Sequence, residues 1–174
     1  MPAPNLVEVY TASHRITGNM SPGSAGILGY LNMATESFVE VENAAISPLH
    51  QVGQQAENCP KIWLMKSDIV AVVVESRADL GLGSGTRAGY TKPFPHWVRM
   101  LAGGYELRGL IQSGGRFDVG AVLYEGSSTF LALYNAKLSA ILFPRARTES
   151  PAMAFNRSSV RALSLLPKEE LAQP

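Results

Sequence analysis

The side chains that most often carry acid–base, metal or nucleophilic chemistry are few in this chain and widely separated. The three histidines, His14, His50 and His96, show no spacing such as H-x-x-x-H that would bring two imidazoles to one metal ion. The single cysteine, Cys59, lies in the polar segment QQAENCPK, which we predict to be a loop with only Lys61 nearby to favour a thiolate. One cysteine also excludes an internal disulfide and a cysteine-based zinc site. We therefore predict no catalytic residues, no metal site and no cofactor.

The segment GLGSGTRAG, residues 81–89, has the glycine spacing with which backbone N–H groups can surround a phosphate. A phosphate loop must follow a strand and open a helix. A strand is predicted before this segment, but the prolines of TKPFP, residues 91–95, follow it and prevent a helix. A flexible linker is the better interpretation, and no G-x-S-x-G motif indicates a serine nucleophile. We predict that the chain is not an enzyme.

Arginine and aromatic side chains are concentrated in the second half of the sequence. Guanidinium groups bind phosphates and stack on bases, and Arg, Tyr and Trp are also enriched at protein–protein interfaces. The candidates for partner binding are Arg99, Arg108, Arg116, Arg145, Arg147, Tyr134 and Trp97. A protein partner or self-association is the main hypothesis, and RNA bound by the basic second half is the alternative. The two tryptophans, Trp63 and Trp97, are either candidate anchors or core residues.

The net charge of +1 hides an asymmetry between the two halves of the chain. Residues 1–90 carry 5 Lys/Arg against 8 Asp/Glu, a balance of −3, whereas residues 91–174 carry 10 against 6, a balance of +4. This asymmetry suits head-to-tail contact between the halves or between chains. Neither half reaches the charge density expected of an ordinary nucleic-acid binder.

The composition indicates a chain that can bury a core. Its 174 residues are 46% hydrophobic and 17% charged, with a mean hydropathy of +0.05, which excludes disordered and fibrous classes. The N-terminal MPAPNLVEVY has neither the basic nor the long apolar region of a signal peptide. The longest strongly apolar run, IVAVVV, is too short to span a bilayer. We therefore expect a soluble, cytoplasmic protein with no transmembrane segment.

The sequence contains an internal repeat. The decapeptide FVEVENAAIS at residues 38–47 recurs as FLALYNAKLS at residues 130–139, an offset of 92. At an offset of 91, LVEVYTASHRITG from Leu6 aligns with WVRMLAGGYELRG from Trp97, and KSDIVAVVV from Lys66 aligns with RSSVRALSL from Arg157. Three blocks in the same order predict a tandem duplication.

Each copy has a mainly β pattern. A hairpin ends in a glycine, Gly18 or Gly109, where we predict a bend, a bulge or a close backbone approach. The central segment that follows fits a short helix as well as a strand, and an alternating strand and a final strand complete the copy. The predicted organisation is a first unit over residues 1–78, a Gly/Pro-rich linker over 79–95, a second unit over 96–166 and a tail over 167–174.

A resemblance rests on His14-Arg15-Ile16-Thr17-Gly18, on residues 27–32 and 38–44, and on the matching blocks of the second unit. These blocks resemble the layout of Sm-like small barrels and, more closely, a bacterial domain family of unknown function that occurs singly or in tandem. The resemblance covers most of the chain outside linker and tail. It implies two tandem Sm-like or SH3-like small β-barrels with short helices. It does not extend to the Asp-x-x-x-Asn of the Sm RNA-base pocket, which only Phe117-Asp118 echoes.

Two similar units on one chain can pack as a pseudo-twofold pair and bury faces that one unit alone cannot. From these patterns we predict a non-catalytic interaction or assembly module, a structural or accessory subunit that binds a protein partner or itself.

Overall fold

In the computed structural model, the segments of alternating apolar and polar residues form β-strands, and the described part of the chain contains ten strands and three short α-helices. The structure describes residues 4–54, 56–81 and 93–167, so most of the predicted linker and nearly all of the predicted tail lie outside the described residues. The strands are β1 (Asn5–Thr11), β2 (His14–Met20), β3 (Phe38–Pro48), β4 (Glu57–Met65), β5 (Ile69–Val74), β6 (Phe94–Ala102), β7 (Tyr105–Ser113), β8 (Phe130–Ala140), β9 (Arg147–Asn156) and β10 (Val160–Leu165). The helices are α1 (Gly26–Asn32), α2 (Arg77–Leu80) and α3 (Val119–Leu123).

All ten strands pair antiparallel in one continuous sheet, in the order β10-β6-β7-β8-β9-β5-β1-β2-β3-β4. The mainly β prediction is therefore confirmed. Strand pairing does not close either half into a barrel, because one edge of β5 pairs with β1 and its other edge pairs with β9 of the second half. The expected pair of closed barrels is thus replaced by a single open sheet that both halves share.

The order of strands within the second half repeats the order within the first half. If the strands are counted within each half, β5 and β10 are the fifth strands. In both halves the fifth strand lies beside the first, and the second, third and fourth follow. A twofold axis would bring the same strand of each half to the junction. Here the fifth strand of the first half, β5, meets the fourth strand of the second half, β9. The predicted pseudo-twofold packing is wrong, and the halves follow each other head to tail.

The two buried clusters of the core both extend across the junction between β5 and β9. One cluster joins Tyr10 and Ala71 of the first half to Phe155 of the second, and the other joins Val72 to Ala154. The run IVAVVV of β5 is buried at all six positions, as expected of a strand paired on both edges and covered on both faces. Separation of the halves would therefore expose both clusters.

Gly18 and Gly109 lie inside β2 and β7, not at their ends, and the predicted close backbone approach is present at both. A Cβ atom on Gly18 would lie 2.8 Å from the carbonyl oxygen of Glu42, and one on Gly109 would lie 2.7 Å from that of Tyr134. The strand register shifts beside each glycine.

The strands that face these two glycines share a backbone distortion. Asn43 on β3 and Asn135 on β8 have φ values of 49° and 47°, and they are the only non-glycine residues with positive φ in the described ranges. Asparagine tolerates this left-handed conformation better than most residues. The repeated Asn-Ala pair of the sequence therefore marks the same bulge in both halves.

The central segments, for which the sequence left helix and strand open, form α1 and α3. The side chain of Asn32, at the end of α1, donates to the carbonyl oxygen of Phe130 and accepts from its N–H, both at 2.9 Å. Asp118 caps α3 by accepting from the N–H groups of Gly120 and Ala121 at 2.8 and 3.3 Å. The first of these contacts ties the first half to the start of β8.

Candidate interaction edges of the sheet

The three histidines have separate local partners. His14 shares a hydrogen bond of 2.7 Å between Nδ1 and Ser13 Oγ, and the ring of His50 lies 6.4 Å from an aromatic ring. His96 Nε2 lies 2.9 Å from Ser113 Oγ. Within residues 4–54, 56–81 and 93–167, no group of three His, Cys, Asp or Glu side chains is placed to hold a metal ion.

A depression of about 270 Å³ lies where β1, β5 and β9 meet. Its lining includes the carboxylates of Glu8, Glu75 and Glu149 and the apolar side chains of Val73 and Pro151, with no His, Cys, Lys or Arg. Glu8 and Glu149 form ion pairs with Arg15 and Lys137, which lie outside the lining, and the lining itself offers no imidazole or thiol as a partner for acid–base or nucleophilic chemistry. The depression is therefore a weaker candidate site than the edges of the sheet.

Five of the seven predicted partner-binding residues lie on one face of the second half. Side chains directly opposite each other on paired strands share a face. The pairs Trp97–Leu110 and Leu110–Tyr134 form one row, Arg99–Arg108–Lys137 form the next, and Glu106–Ser139–Arg147 form a third. Arg116 and Arg145 lie in loops, before α3 and before β9.

Arg99 and Arg108 share the carboxylate of Glu106. Arg99 donates from Nε and Nη2 to Glu106 Oε2 at 2.9 and 2.6 Å, and Arg108 donates from Nε to Oε1 at 2.6 Å. Partial burial alone would raise the pKa of the Glu106 carboxyl, but the hydrogen bonds from both arginines outweigh it and hold the pKa below its ordinary value. Two of the arginines predicted to bind a partner therefore form intramolecular ion pairs.

This arrangement predicts a pH dependence of stability. A carboxyl whose pKa is lower in the folded state contributes stability above its unfolded pKa, about 4.3, and that contribution disappears as the pH falls through the folded value. We expect Glu106→Gln to reduce the loss of unfolding free energy between about pH 6 and pH 3, by less than about 1 kcal/mol because the ion pairs are partly exposed. Urea denaturation at each pH measures it.

The matched control is Glu57→Gln, at an exposed carboxylate without an ion pair to the described residues. It should leave the pH dependence of the parent protein unchanged. If both variants lost stability toward low pH as steeply as the parent, the role assigned to Glu106 would be wrong.

Tyr134 and Trp97 are half-buried, which reduces the surface that either can offer to a partner. The guanidinium of Arg77 stacks over the Tyr134 ring at 4.9 Å and donates to Asn135 Oδ1 at 2.9 Å. Tyr134 therefore contributes to the contact between the halves.

The two outermost strands, β4 and β10, are the outer edges of the sheet. On β4, Trp63 is 55% and Met65 43% exposed, and on β10 Leu165 is 52% exposed. Their counterparts in the other half, β9 and β5, pair with each other and are largely buried. Unpaired backbone groups beside exposed apolar side chains are a template for a further strand.

The edge strand β4 contains two residues whose positions the sequence left open or placed wrongly, Cys59 and Trp63. Cys59, predicted to lie in a loop, is half-buried in β4 opposite Ala44. Trp63 is an exposed residue and not part of the core, and its Nε1 donates to Glu40 Oε1 at 2.8 Å. Lys61 donates to the same carboxylate at 2.9 Å. The hydrogen bond from Lys61 has the larger effect in lowering the pKa of Glu40, and the one from Trp63 lowers it further. The indole is thus held in place on the edge.

Sequence reasoning missed the outer edges, although a signal was present. The fifth strands of the two halves read IVAVVV and VRALSL, so the second is far more polar at matching positions. A continuous apolar run such as IVAVVV is typical of a buried central strand, whereas a more polar strand such as VRALSL is typical of an exposed edge.

The fold and these edges define the class of the molecule: a mainly β protein built on one ten-stranded antiparallel sheet, whose two outer edges pair with no other described residue. No protein-family model matches the chain, and no curated protein or solved structure matches it significantly. None of the helices in the described part of the chain is long and apolar enough to cross a membrane.

Proposed function

We propose that this protein is a non-catalytic assembly module, a structural or accessory subunit of the cytoplasm, which binds protein by strand addition at β4 and β10. One observation carries this proposal. The outer edges present exposed apolar side chains at positions whose counterparts in the other half form the buried pairing of β5 with β9. In strand addition, main-chain hydrogen bonds supply affinity and alternate side chains supply specificity.

We also propose that the chain arose by tandem duplication of a small Sm-like or SH3-like unit that remains open in this sheet. The repeated strand order supports this, as do the matching bulges at Gly18 and Gly109 and at Asn43 and Asn135. In addition, three-residue 3₁₀ turns, Lys66–Asp68 and Arg157–Ser159, precede the fifth strand of each half.

RNA binding is the second candidate function, favoured by the face that holds Arg99, Arg108, Lys137 and Arg147. That face carries only a small positive excess, because Glu106 and Glu149 lie on it and form ion pairs with three of the four basic residues. Phosphate contacts by such a face should show a steep dependence on salt concentration.

Edge substitutions test the proposed function. Tagged parent protein and a Trp63→Lys/Leu165→Lys variant are purified from the native cell, and bound proteins, further copies of the chain included, are quantified by mass spectrometry. We expect the variant to lose bound protein by at least about tenfold, since a buried lysine on an added strand is strongly unfavourable.

The matched control is Tyr124→Lys, at a residue that is 80% exposed and ends α3, and so belongs to neither outer strand. It should retain the bound protein. Equal recovery with the edge variant and the parent would contradict strand addition. Recovery of RNA in place of protein, lost at high salt and unaffected by the edge variant, would favour the second candidate.

A further inference from the structure

We infer that the partner at each outer edge is a second copy of this chain, with β4 of one copy pairing antiparallel with β10 of the next. This inference rests on the proposed function and identifies its partner. The protein already contains one example of the contact, since β9 and β5 are the fourth and fifth strands of their halves and pair at the junction. The outer edges are the remaining fourth and fifth strands.

The internal junction supplies the register. There the directly opposite pairs are Ala71–Phe155, Val72–Ala154, Val73–Met153 and Val74–Ala152. β10 pairs with β6 in the same way as β5 pairs with β1. Leu165 lies opposite Val98, and Val74 lies opposite Val7, so Leu165 on β10 corresponds to Val74 on β5. Likewise, β4 pairs with β3 in the same way as β9 pairs with β8. Leu64 lies opposite Val39, and Phe155 lies opposite Leu131, so Leu64 on β4 corresponds to Phe155 on β9.

Transfer of this register to two copies gives four directly opposite pairs, of which the first two are apolar on both strands. The resulting pairs between copies are Ala162–Leu64, Leu163–Trp63, Ser164–Ile62 and Leu165–Lys61. Trp63 then covers Leu163, whose own neighbour on β6 is the buried Met100. The contact would cover Trp63, the most exposed apolar side chain of β4, and would place Leu165 against the aliphatic part of Lys61.

Proline on an edge strand often prevents further pairing, but Pro60 on β4 does not. Pro60 lies at the bulge opposite Asn43, and Pro151 lies at the matching bulge opposite Asn135 on β9. β9 pairs with β5 immediately after its proline, from Ala152 onward. The same proline on β4 is therefore compatible with an added strand.

The contact between copies should be weaker than the internal junction. At the junction Asn156 donates from Nδ2 to the carbonyl oxygen of Ile69 at 3.0 Å, and Ser150 Oγ donates to that of Val74. Met65 and Cys59 stand at the matching positions of β4 and supply no equivalent donor of this strength. We therefore infer a reversible association between copies, in contrast to the permanent contact inside each one.

Charge supports a head-to-tail contact over one between identical edges. The half that carries β4 has a balance of −3 and the half that carries β10 a balance of +4. Near the β4 edge, Glu40 and Glu42 on β3 share the single cation Lys61, which leaves an acidic excess. Near the β10 edge, Arg99 and Arg108 share the single carboxylate of Glu106, and Arg161 lies on β10 itself, which leaves a basic excess. Unlike charges favour β4 with β10, whereas β4 with β4 would bring acidic groups together.

Disulfide mapping with purified protein tests the register. In a Cys59→Ser background, for which the matching Ser150 shows that serine is accommodated, Lys61→Cys and Leu165→Cys are made separately. Directly opposite residues of antiparallel strands have Cα atoms about 4.5–5.5 Å apart, within the range that a disulfide spans. Mild oxidation of a mixture of the two variants should give a covalent dimer joining one of each.

The control replaces Lys61→Cys with Glu57→Cys, which lies four residues away on β4, roughly 13 Å along the strand. It should cross-link with Leu165→Cys at least tenfold less. Equal yields from both pairs, or no covalent dimer from either, would overturn the inference.

Light scattering after size exclusion gives an independent result. The parent protein should show a mass that rises with concentration above the 18.7 kDa of one chain. Trp63→Lys/Leu165→Lys should remain at one chain, with an unchanged circular dichroism spectrum, and Tyr124→Lys should behave as the parent. Self-association would be refuted if the parent protein were monomeric at all concentrations. Strand addition would still hold in that case if the parent recovered other proteins from cells and the Trp63→Lys/Leu165→Lys variant did not.

Discussion

Replacement of Phe155 by alanine is expected to lower the free energy of unfolding of the whole sheet by about 3–5 kcal/mol, the usual cost of truncating a buried phenylalanine. Phe155 is fully buried on β9, directly opposite Leu131 on one side and Ala71 on the other. Its cluster also contains Tyr10 of the first half. Because a domain of this kind has roughly 5–15 kcal/mol in total, the loss is a large fraction.

The equivalent position on the outer edge provides the control. Leu64 on β4 corresponds to Phe155 on β9 but is only half-buried, so Leu64→Ala should cost less, about 1–2 kcal/mol. Urea denaturation measures both variants by circular dichroism.

Tryptophan fluorescence shows whether the halves unfold together. Trp63 is the first-half probe and Trp97 the second-half probe, each followed in a background in which the other is phenylalanine. We expect Phe155→Ala to lower both midpoints equally, because the two clusters cross the junction. Two separate transitions, with only the second-half midpoint lowered, would contradict a shared core.

Gly18→Ala and Gly109→Ala are expected to destabilise the protein by about 1–3 kcal/mol each, the cost of forcing an extra methyl group into a packed site. The added Cβ would lie 2.8 Å from the Glu42 carbonyl oxygen in the first case and 2.7 Å from that of Tyr134 in the second. Backbone oxygen atoms in a paired strand cannot move aside as the end of a flexible side chain can. Thermal unfolding of each variant measures the effect.

Gly114→Ala and Gly115→Ala are the controls. No atom lies within 4 Å of a Cβ at either position, and neither has a positive φ. Alanine there should be neutral or should stabilise by up to about 1 kcal/mol, because it reduces the freedom of the unfolded chain. If Gly109→Ala were as mild as Gly114→Ala, the close approach at the bulge would not be a constraint on the fold.

The parts of the fold that could be predicted from sequence depend on local geometry. Alternation with a period of two places side chains on opposite faces of a strand wherever the strand pairs, so the β character of FVEVENA and FLALYNA was predictable. A glycine at the same position of two matching sequence blocks indicates a shared need for space, and Gly18 and Gly109 both lie where a Cβ atom would clash. Short apolar runs do not distinguish a helical turn from a strand, and α1 and α3 had to be observed.

The candidate site was less predictable, because it depends on which strands lie side by side. Arg99 and Arg108 are candidates for partner binding by residue type, but strand register brings Glu106 within 2.6 Å of both. Likewise, sequence placed Cys59 in a polar loop, whereas pairing with Ala44 makes its segment a strand. Side-chain partners across strands follow from register, and register depends on residues distant in the chain.

By itself the sequence determined that this protein has a mainly β fold, with two sets of matching blocks and two glycines at positions that require them. Only the tertiary structure decided that the halves share one open sheet, that they follow each other head to tail, and that β4 and β10 each keep one edge without a partner among the described residues. The physical reason is that backbone N–H and C=O groups are the same on every strand. Any strand edge can therefore pair with any other, and the choice between a closed barrel, an internal junction and an open edge is made by side-chain packing across the junction.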